Sequence, residues 1–206
     1  MKLILSITLL LSLLTAGKYD KVKITPDMSY VLVYHKGHAV KIHRIQDVSN
    51  HLTGTYAKIS YSCPGACIQP ITINDKIETV GEVEVLRFIK NEVNQNQGVL
   101  IDSRPKKLYN QETIPSSINI PFSLYKDSKA LKSIFTVLGV KKKSDGQLDT
   151  SRAITVMVYC NGPWCSKSQQ LINALLKKGY PANKIKYYRG GFQMWKSLGL
   201  TTVKIK

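Results

Sequence analysis

The chain is short of acid. Only 13 aspartates and glutamates stand against 30 lysines and arginines, a formal net charge of +17 with a pI near 9.7. Such a balance invites a nucleic-acid reading, yet the lysines are scattered and no basic stripe is interleaved with aromatics. The one dense run, Lys141-Lys142-Lys143, continues into Ser144, Asp145 and Gly146 and reads as a solvated loop. No nucleic-acid partner is therefore expected, and the charge is read as drawing in small anions or an acidic surface. Long apolar runs are scarce too. The run Leu3 to Leu14 is too short to span a bilayer comfortably. Histidine and cysteine number four each. His35, His38, His43 and His51 lie just ahead of Cys63 and Cys67, and imidazole with thiolate suits zinc or copper. The spacing matches no zinc pattern, and Cys63 and Cys67 are separated by three residues instead of the commoner two. No metal and no cofactor are expected.

What is present begins with export. Met1-Lys2 is a short basic start, Leu3 to Leu14 an apolar core, and Thr15-Ala16-Gly17 a set of small residues at a cut. Residues 1–17 thus read as a secretory signal, with an uncleaved anchor as the alternative. The expected location is the bacterial periplasm or outside the cell, with no stable membrane insertion after cleavage. A hydrophobic content of 43% with 21% charged residues describes a chain that packs a core, and 206 residues hold one ordinary domain plus a smaller unit.

Residues 18–77 read as the smaller unit, β-rich and marginal alone, expected to pack against the larger domain. Tyr30 to His35 and His38 to His43 are β-rich runs on either side of Lys36-Gly37, a hairpin pattern, and Tyr56 to Tyr61 is expected as a third strand. In an oxidising compartment the even cysteine count suggests disulfides. A local Cys63–Cys67 disulfide, structural or redox, is favoured, with Pro64 and Gly65 turning the chain.

From residue 78 to 206 strands alternate with helices, which predicts an α/β domain: a parallel sheet with helices on both faces. Gly98 to Asp102, a short strand between Pro115 and Pro121, Ile154 to Tyr159 and Ile185 to Tyr188 are the strands. Val83 to Val93, Leu131 to Leu138 and the segment from Ser166 or Ser168 to about Lys178 carry helical spacing. Ligands of such sheets sit outside the carboxyl ends of the strands, where Asp102 and Cys160 both belong. The stretch Tyr159-Cys160-Asn161-Gly162-Pro163-Trp164-Cys165-Ser166 is the most informative in the chain. It places a thiol between a buried strand and a helix start, a setting of backbone N–H groups that favours a sulfur anion.

Leu100-Ile101-Asp102-Ser103-Arg104 is a strand ending in aspartate-x-arginine, and Thr113 to Pro121 is a proline-bounded stretch. Tyr159-Cys160 places a cysteine and its loop at a strand end, and Tyr188-Arg189-Gly190-Gly191 leads through Trp195 to Gly199. In these four motifs and their order the second domain resembles the rhodanese family, in which the strand-end cysteine is the nucleophile and the glycine pair opens the closing signature. Thr113 stands where a histidine is common, Ser116-Ser117 replaces Gly-Ala, and the loop lacks the arginines of thiosulfate-using members. The resemblance implies sulfur transfer through a Cys160 persulfide. Asn161, Gly162, Pro163, Trp164, Cys165 and Ser166 form the substrate loop, and Asp102 and Arg104 support the pocket. The implied donor is a small anionic sulfur compound, thiosulfate or a polysulfide, and the acceptor cyanide or a thiol, on a small molecule or a partner protein. Cys165 has two readings, a small buried residue or a resolving thiol. The second would make the protein a thiol–disulfide or persulfide reductase. A non-catalytic sulfur carrier, with Cys63 and Cys67 docking or relaying, is the third class.

Overall fold

The structure, a computed structural model, describes residues 22–60 and 68–205. The expected signal at 1–17 and the Cys63/Cys67 pair lie outside the described residues. Among the described residues the first two strands are β1 (Tyr30–His35) and β2 (His38–His43), paired antiparallel through Lys36 (φ 49) and Gly37 (φ 81). Two successive positive φ values match the twist of the flanking strands, which is why a glycine sits there. Val31 and Val33 are buried while Tyr30, Leu32 and Tyr34 are exposed, the alternation of a strand covered on one face.

The expected third strand does not form. Gly54–Ala57 is instead a 3-10 turn, residues 58–60 are not strand, and Tyr61 lies outside the described residues. The sheet proper begins with β3 (Glu78–Val80), followed by α1 (Glu82–Phe88), which continues as a π-helical turn, Ile89–Val93. Next come β4 (Gly98–Asp102), α2 (Lys106–Gln111), β5 (Ile118–Asn119) and α3 (Ser128–Val137). Asp127 caps α3, its carboxylate accepting from the N–H groups of Lys129 and Ala130. Lys141–Lys142 (β6) pairs antiparallel with Leu148–Asp149 (β7), so the lysine run is one arm of a small exposed hairpin and not a loop. Then follow β8 (Thr155–Tyr159), α4 (Lys167–Lys177), β9 (Ile185–Tyr188) and α5 (Gly191–Ser197).

Strands β3-β9-β8-β4-β5 form one five-stranded sheet, parallel throughout. Its central strands are mostly apolar because both faces are covered, with Thr155, Asp102 and Lys186 the exceptions. Leu100, Met157, Tyr159 and Tyr188 meet Leu86 and Phe88 of α1, Phe192 and Trp195 of α5, and Val31, Val33 and Ile42 of the hairpin. Ile101, Val156, Val158 and Tyr187 meet Leu131 and Phe135 of α3 and Leu171, Ile172 and Leu175 of α4. The hairpin therefore has no core of its own; it completes one face of the sheet. The C-terminal tail ties it down, with Ile45 N–H donating to Gly199 and Thr201 N–H to His43. No helix among the described residues is long and apolar enough to cross a membrane.

Candidate active site

β8 ends at Tyr159, and Cys160 leaves the sheet at its carboxyl end. The next two carbonyls are taken by the first turn of α5: Phe192 N–H donates to Cys160 (2.9 Å) and Gln193 N–H to Asn161 (2.7 Å). This docking requires Gly191. Its φ is +60, and a Cβ there would lie 2.6 Å from the Cys160 carbonyl oxygen, so any side chain would push the helix off the loop. Cys165 N–H donates to the Gly162 carbonyl (2.9 Å), closing a turn over Pro163 and Trp164 that folds Cys165 back on Cys160. The two cysteines are joined by a disulfide, their Cα atoms 6.2 Å apart. Both are buried, at 2% and 4% exposure. The thiol expected to ionise easily is thus held oxidised here, with no free thiolate at either cysteine.

Around the loop the remaining groups brace it. Trp164 Nε1 donates to Gln193 Oε1 (2.8 Å). Gln69 N–H donates to the Pro163 carbonyl (3.2 Å), and Arg189 Nη2 donates to the Gln69 carbonyl (2.7 Å). Ser166 stands at the N-cap position of α4 but makes no side-chain cap bond; its Oγ accepts from Gln170 instead. Lys167 Nζ lies 4.6 Å from the centre of the Phe122 ring. The N–H groups of Asn161, Gly162 and Ser166 donate to no protein acceptor among the described residues.

Asp102 ends β4 beside the loop, paired in register with Tyr159, and Ser103 N–H donates to the Tyr159 carbonyl (2.9 Å). Its carboxylate is wholly engaged. Oδ1 accepts from Arg104 Nε (2.9 Å) and Oδ2 from Arg104 Nη2 (2.6 Å), Thr113 Oγ1 (2.9 Å) and the Tyr159 hydroxyl (2.9 Å). Arg104 also donates to the Glu112 carbonyl (2.6 Å) and to the Tyr56 hydroxyl (2.8 Å), and its guanidinium stacks 4.0 Å from the centre of the Phe192 ring. Burial opposes the arginine's charge, yet its hydrogen bonds to Asp102 and the Asp102 charge hold its pKa above the ordinary value. Burial first, then the neighbouring Asp102, keep the Tyr159 hydroxyl far from ionising. The pair is fully bonded and buried, an arrangement that holds two strand ends together.

Asp102, Arg104 and the 160–166 loop therefore share one end of the sheet. Three further residues touch the loop without a sequence motif of their own: Tyr56 bonds Asn161 across 105 positions, Gln69 bonds Pro163 across 94 and Gln193 bonds Trp164 across 29. Only Gln193 had a nearby signal, inside the glycine-pair motif. Among the described residues no group of three or more His, Cys, Asp and Glu could hold a metal. His35 accepts from Ser116 N–H (3.1 Å), and His43 Nδ1 lies against the Arg44 carbonyl (2.8 Å).

None of the curated proteins matches the chain. Similar solved structures include a Bacillus halodurans protein, 18% identical over 62% of this chain and 77% of that one, with a TM-score of 0.47. A rhodanese with anions from E. coli is 28% identical over 52% of this chain and 98% of its own, at a TM-score of 0.34. A thiosulfate sulfurtransferase from Pseudomonas aeruginosa is 17% identical over 63% of this chain and 21% of its own, at 0.44. Residues 86–198 match the rhodanese family, described as the rhodanese-like domain. That segment spans more than half of the sequence and contains Asp102, Arg104, Cys160 and the glycine pair, and on it the chain belongs to the rhodanese-like domain family.

Proposed function

We propose that this chain is a sulfurtransferase-type protein that carries sulfane sulfur on Cys160. The observation that supports it is the position of Cys160 in a rhodanese-like domain. It lies at the carboxyl end of a central parallel strand, beside loop N–H groups that no protein acceptor among the described residues occupies. Such groups stabilise a thiolate or a persulfide anion without a histidine base.

The cycle starts with reduction of the Cys160–Cys165 disulfide by a dithiol, which is itself oxidised to a disulfide. The Cys160 thiolate then attacks the sulfane sulfur of thiosulfate or a polysulfide. The donor's S–S bond breaks, its remainder leaves with the electron pair as sulfite or a shortened polysulfide, and Cys160 becomes a persulfide. An acceptor thiolate, on a small molecule or a partner protein, or cyanide attacks the outer sulfur and releases the Cys160 thiolate. We place this chemistry in the periplasm or outside the cell, after removal of residues 1–17.

The disulfide favours a second exit from the persulfide. The Cys165 thiolate attacks the inner sulfur of the Cys160 persulfide, hydrosulfide leaves, and the Cys160–Cys165 disulfide forms. In that exit the sulfane sulfur is reduced and the two thiols are oxidised, so each turnover consumes one dithiol.

Mutagenesis separates these steps. Cys160→Ser is expected to abolish thiosulfate:cyanide sulfur transfer by the reduced protein; retained transfer would overturn the assignment. Cys165→Ser is expected to keep transfer, to prolong a mass adduct of one sulfur on Cys160, and to stop dithiol-dependent sulfide release. An unchanged adduct lifetime would remove Cys165 from the chemistry.

A further inference from the structure

Tyr56 lies outside the segment that matches the family, yet its hydroxyl reaches the residue next to Cys160. The phenol oxygen accepts from Arg104 Nη1 (2.8 Å) and donates to Asn161 Oδ1 (3.1 Å). The polarity of this chain follows from chemistry. A guanidinium only donates, so the phenol oxygen must accept from it, and the one phenol proton goes to Asn161. Burial raises the phenol's pKa above its ordinary value of 10.0, so it stays a donor throughout the neutral range. The ring is held as well, edge-on to Phe192 with centroids 5.3 Å apart. Phe192 in turn binds the Cys160 carbonyl through its N–H and carries the Arg104 guanidinium on its face.

The consequence falls on the Asn161 amide. Its oxygen is committed to Tyr56, while its nitrogen donates to no protein acceptor among the described residues. We propose that Tyr56 is a positioning residue for the sulfur chemistry: it locks the Asn161 side chain so that the amide N–H groups donate to the anionic sulfur on Cys160, thiolate or persulfide. This rests on the reading of Cys160 as the sulfur-carrying residue. It makes the segment ahead of the sheet domain part of the site. A neutral amide also supplies, in a loop without arginine, a donor that favours a compact sulfur anion.

The test uses the full-length, dithiol-reduced protein in a Cys165→Ser background, which leaves one loop thiol. The pH midpoint for alkylation of Cys160 by iodoacetamide is read on its own peptide by mass spectrometry, together with the lifetime of the sulfur adduct after thiosulfate. Tyr56→Phe keeps the ring on Phe192 and removes only the hydroxyl. It is expected to raise the midpoint by roughly half to one pH unit, the effect of losing one hydrogen bond to the charged form, and to shorten the adduct's life. Asn161→Ala is expected to give the same shift, and the double variant no more than either alone. An unchanged midpoint in Tyr56→Phe overturns the proposal, even if thermal stability falls. So does a double variant whose shift is the sum of the two, since Tyr56 would then act through another group. If the unsubstituted protein forms no adduct at all, the sulfur-transfer reading fails, while the alkylation midpoint still judges Tyr56.

Discussion

At the scale of single residues the site is held by buried, hydrogen-bonded groups. Asp102 and Arg104 sit at 0% and 1% exposure, and the carboxylate accepts from four different groups: the Arg104 side chain and N–H, Thr113 and Tyr159. Asp102→Ala would leave the guanidinium buried with only the Tyr56 hydroxyl and the Glu112 carbonyl, and would strip an acceptor from Thr113 and Tyr159. Breaking a buried pair in this way costs about 3–5 kcal/mol, whereas removing both charges together is often close to neutral. Urea unfolding should therefore show a large loss for Asp102→Ala and a much smaller one for Asp102→Ala with Arg104→Leu. Equal losses would mean that the arginine's stacking on Phe192, and not its charge balance, is what matters. The sequence showed this pair only as charges at a strand end. That Arg104 also reaches Tyr56 was illegible, because the bond joins positions 48 residues apart with no pattern linking them.

At the scale of elements, legibility followed how each piece is buried. Strands β4 and β8 read as nearly continuous apolar runs because both their faces are covered, and the first hairpin read as alternation because one of its faces is. Residues 56–61 misled because Tyr56 is partly covered through a hydrogen bond and an aromatic edge instead of through strand pairing. The lysines of β6 misled because both are exposed, so nothing apolar marks the strand. The joint between the first hairpin and the sheet domain is also expected to depend on pH. His35 ends β1 nearly buried and accepts from Ser116 N–H, a residue held at a φ of 68. Desolvation, followed by the charge of Lys36, lowers its pKa from the ordinary value. The native protein thus prefers neutral His35 while the unfolded chain protonates near pH 6.5, so between that value and the lower folded one the unfolded state binds more protons. This contribution to stability is complete above about pH 6.5 and declines as the pH falls towards the folded value. Thermal unfolding from pH 7.5 to 5 should show the decline, and His35→Gln, which cannot take up a proton, should flatten that slope. A slope unchanged in the variant would place the titrating group elsewhere.

At the scale of the whole molecule, the β-rich leading segment and the sheet domain share one hydrophobic core. Ile42 of β2 is 0% exposed and clusters with Phe88 of α1, with Phe192 and Trp195 of α5 and with Leu200 of the tail. The family match starts only at residue 86, so this face of the sheet is finished by residues that lie outside it. The sequence hinted that a unit of this size would need a neighbour, but it could not say which face would be used, since burial of Val31, Val33 and Ile42 is decided by the sheet beneath them. Ile42→Ala removes a buried side chain far from the disulfide loop in sequence, at a cost of about 2–5 kcal/mol. If the core is common, the substitution lowers the denaturation midpoint read from the environment of Trp195 as much as the midpoint read from backbone circular dichroism, in a single transition. Assigning the fluorescence requires Trp164→Phe as the parent, because the second tryptophan sits on the loop and bonds Gln193. An early transition seen only in the hairpin's tyrosines, with Trp195 unmoved, would show two units that unfold separately. The fixed geometry between Tyr56 and Asn161 could not then be a property of the core, because the segment carrying Tyr56 would be free to leave the loop before the sheet melts.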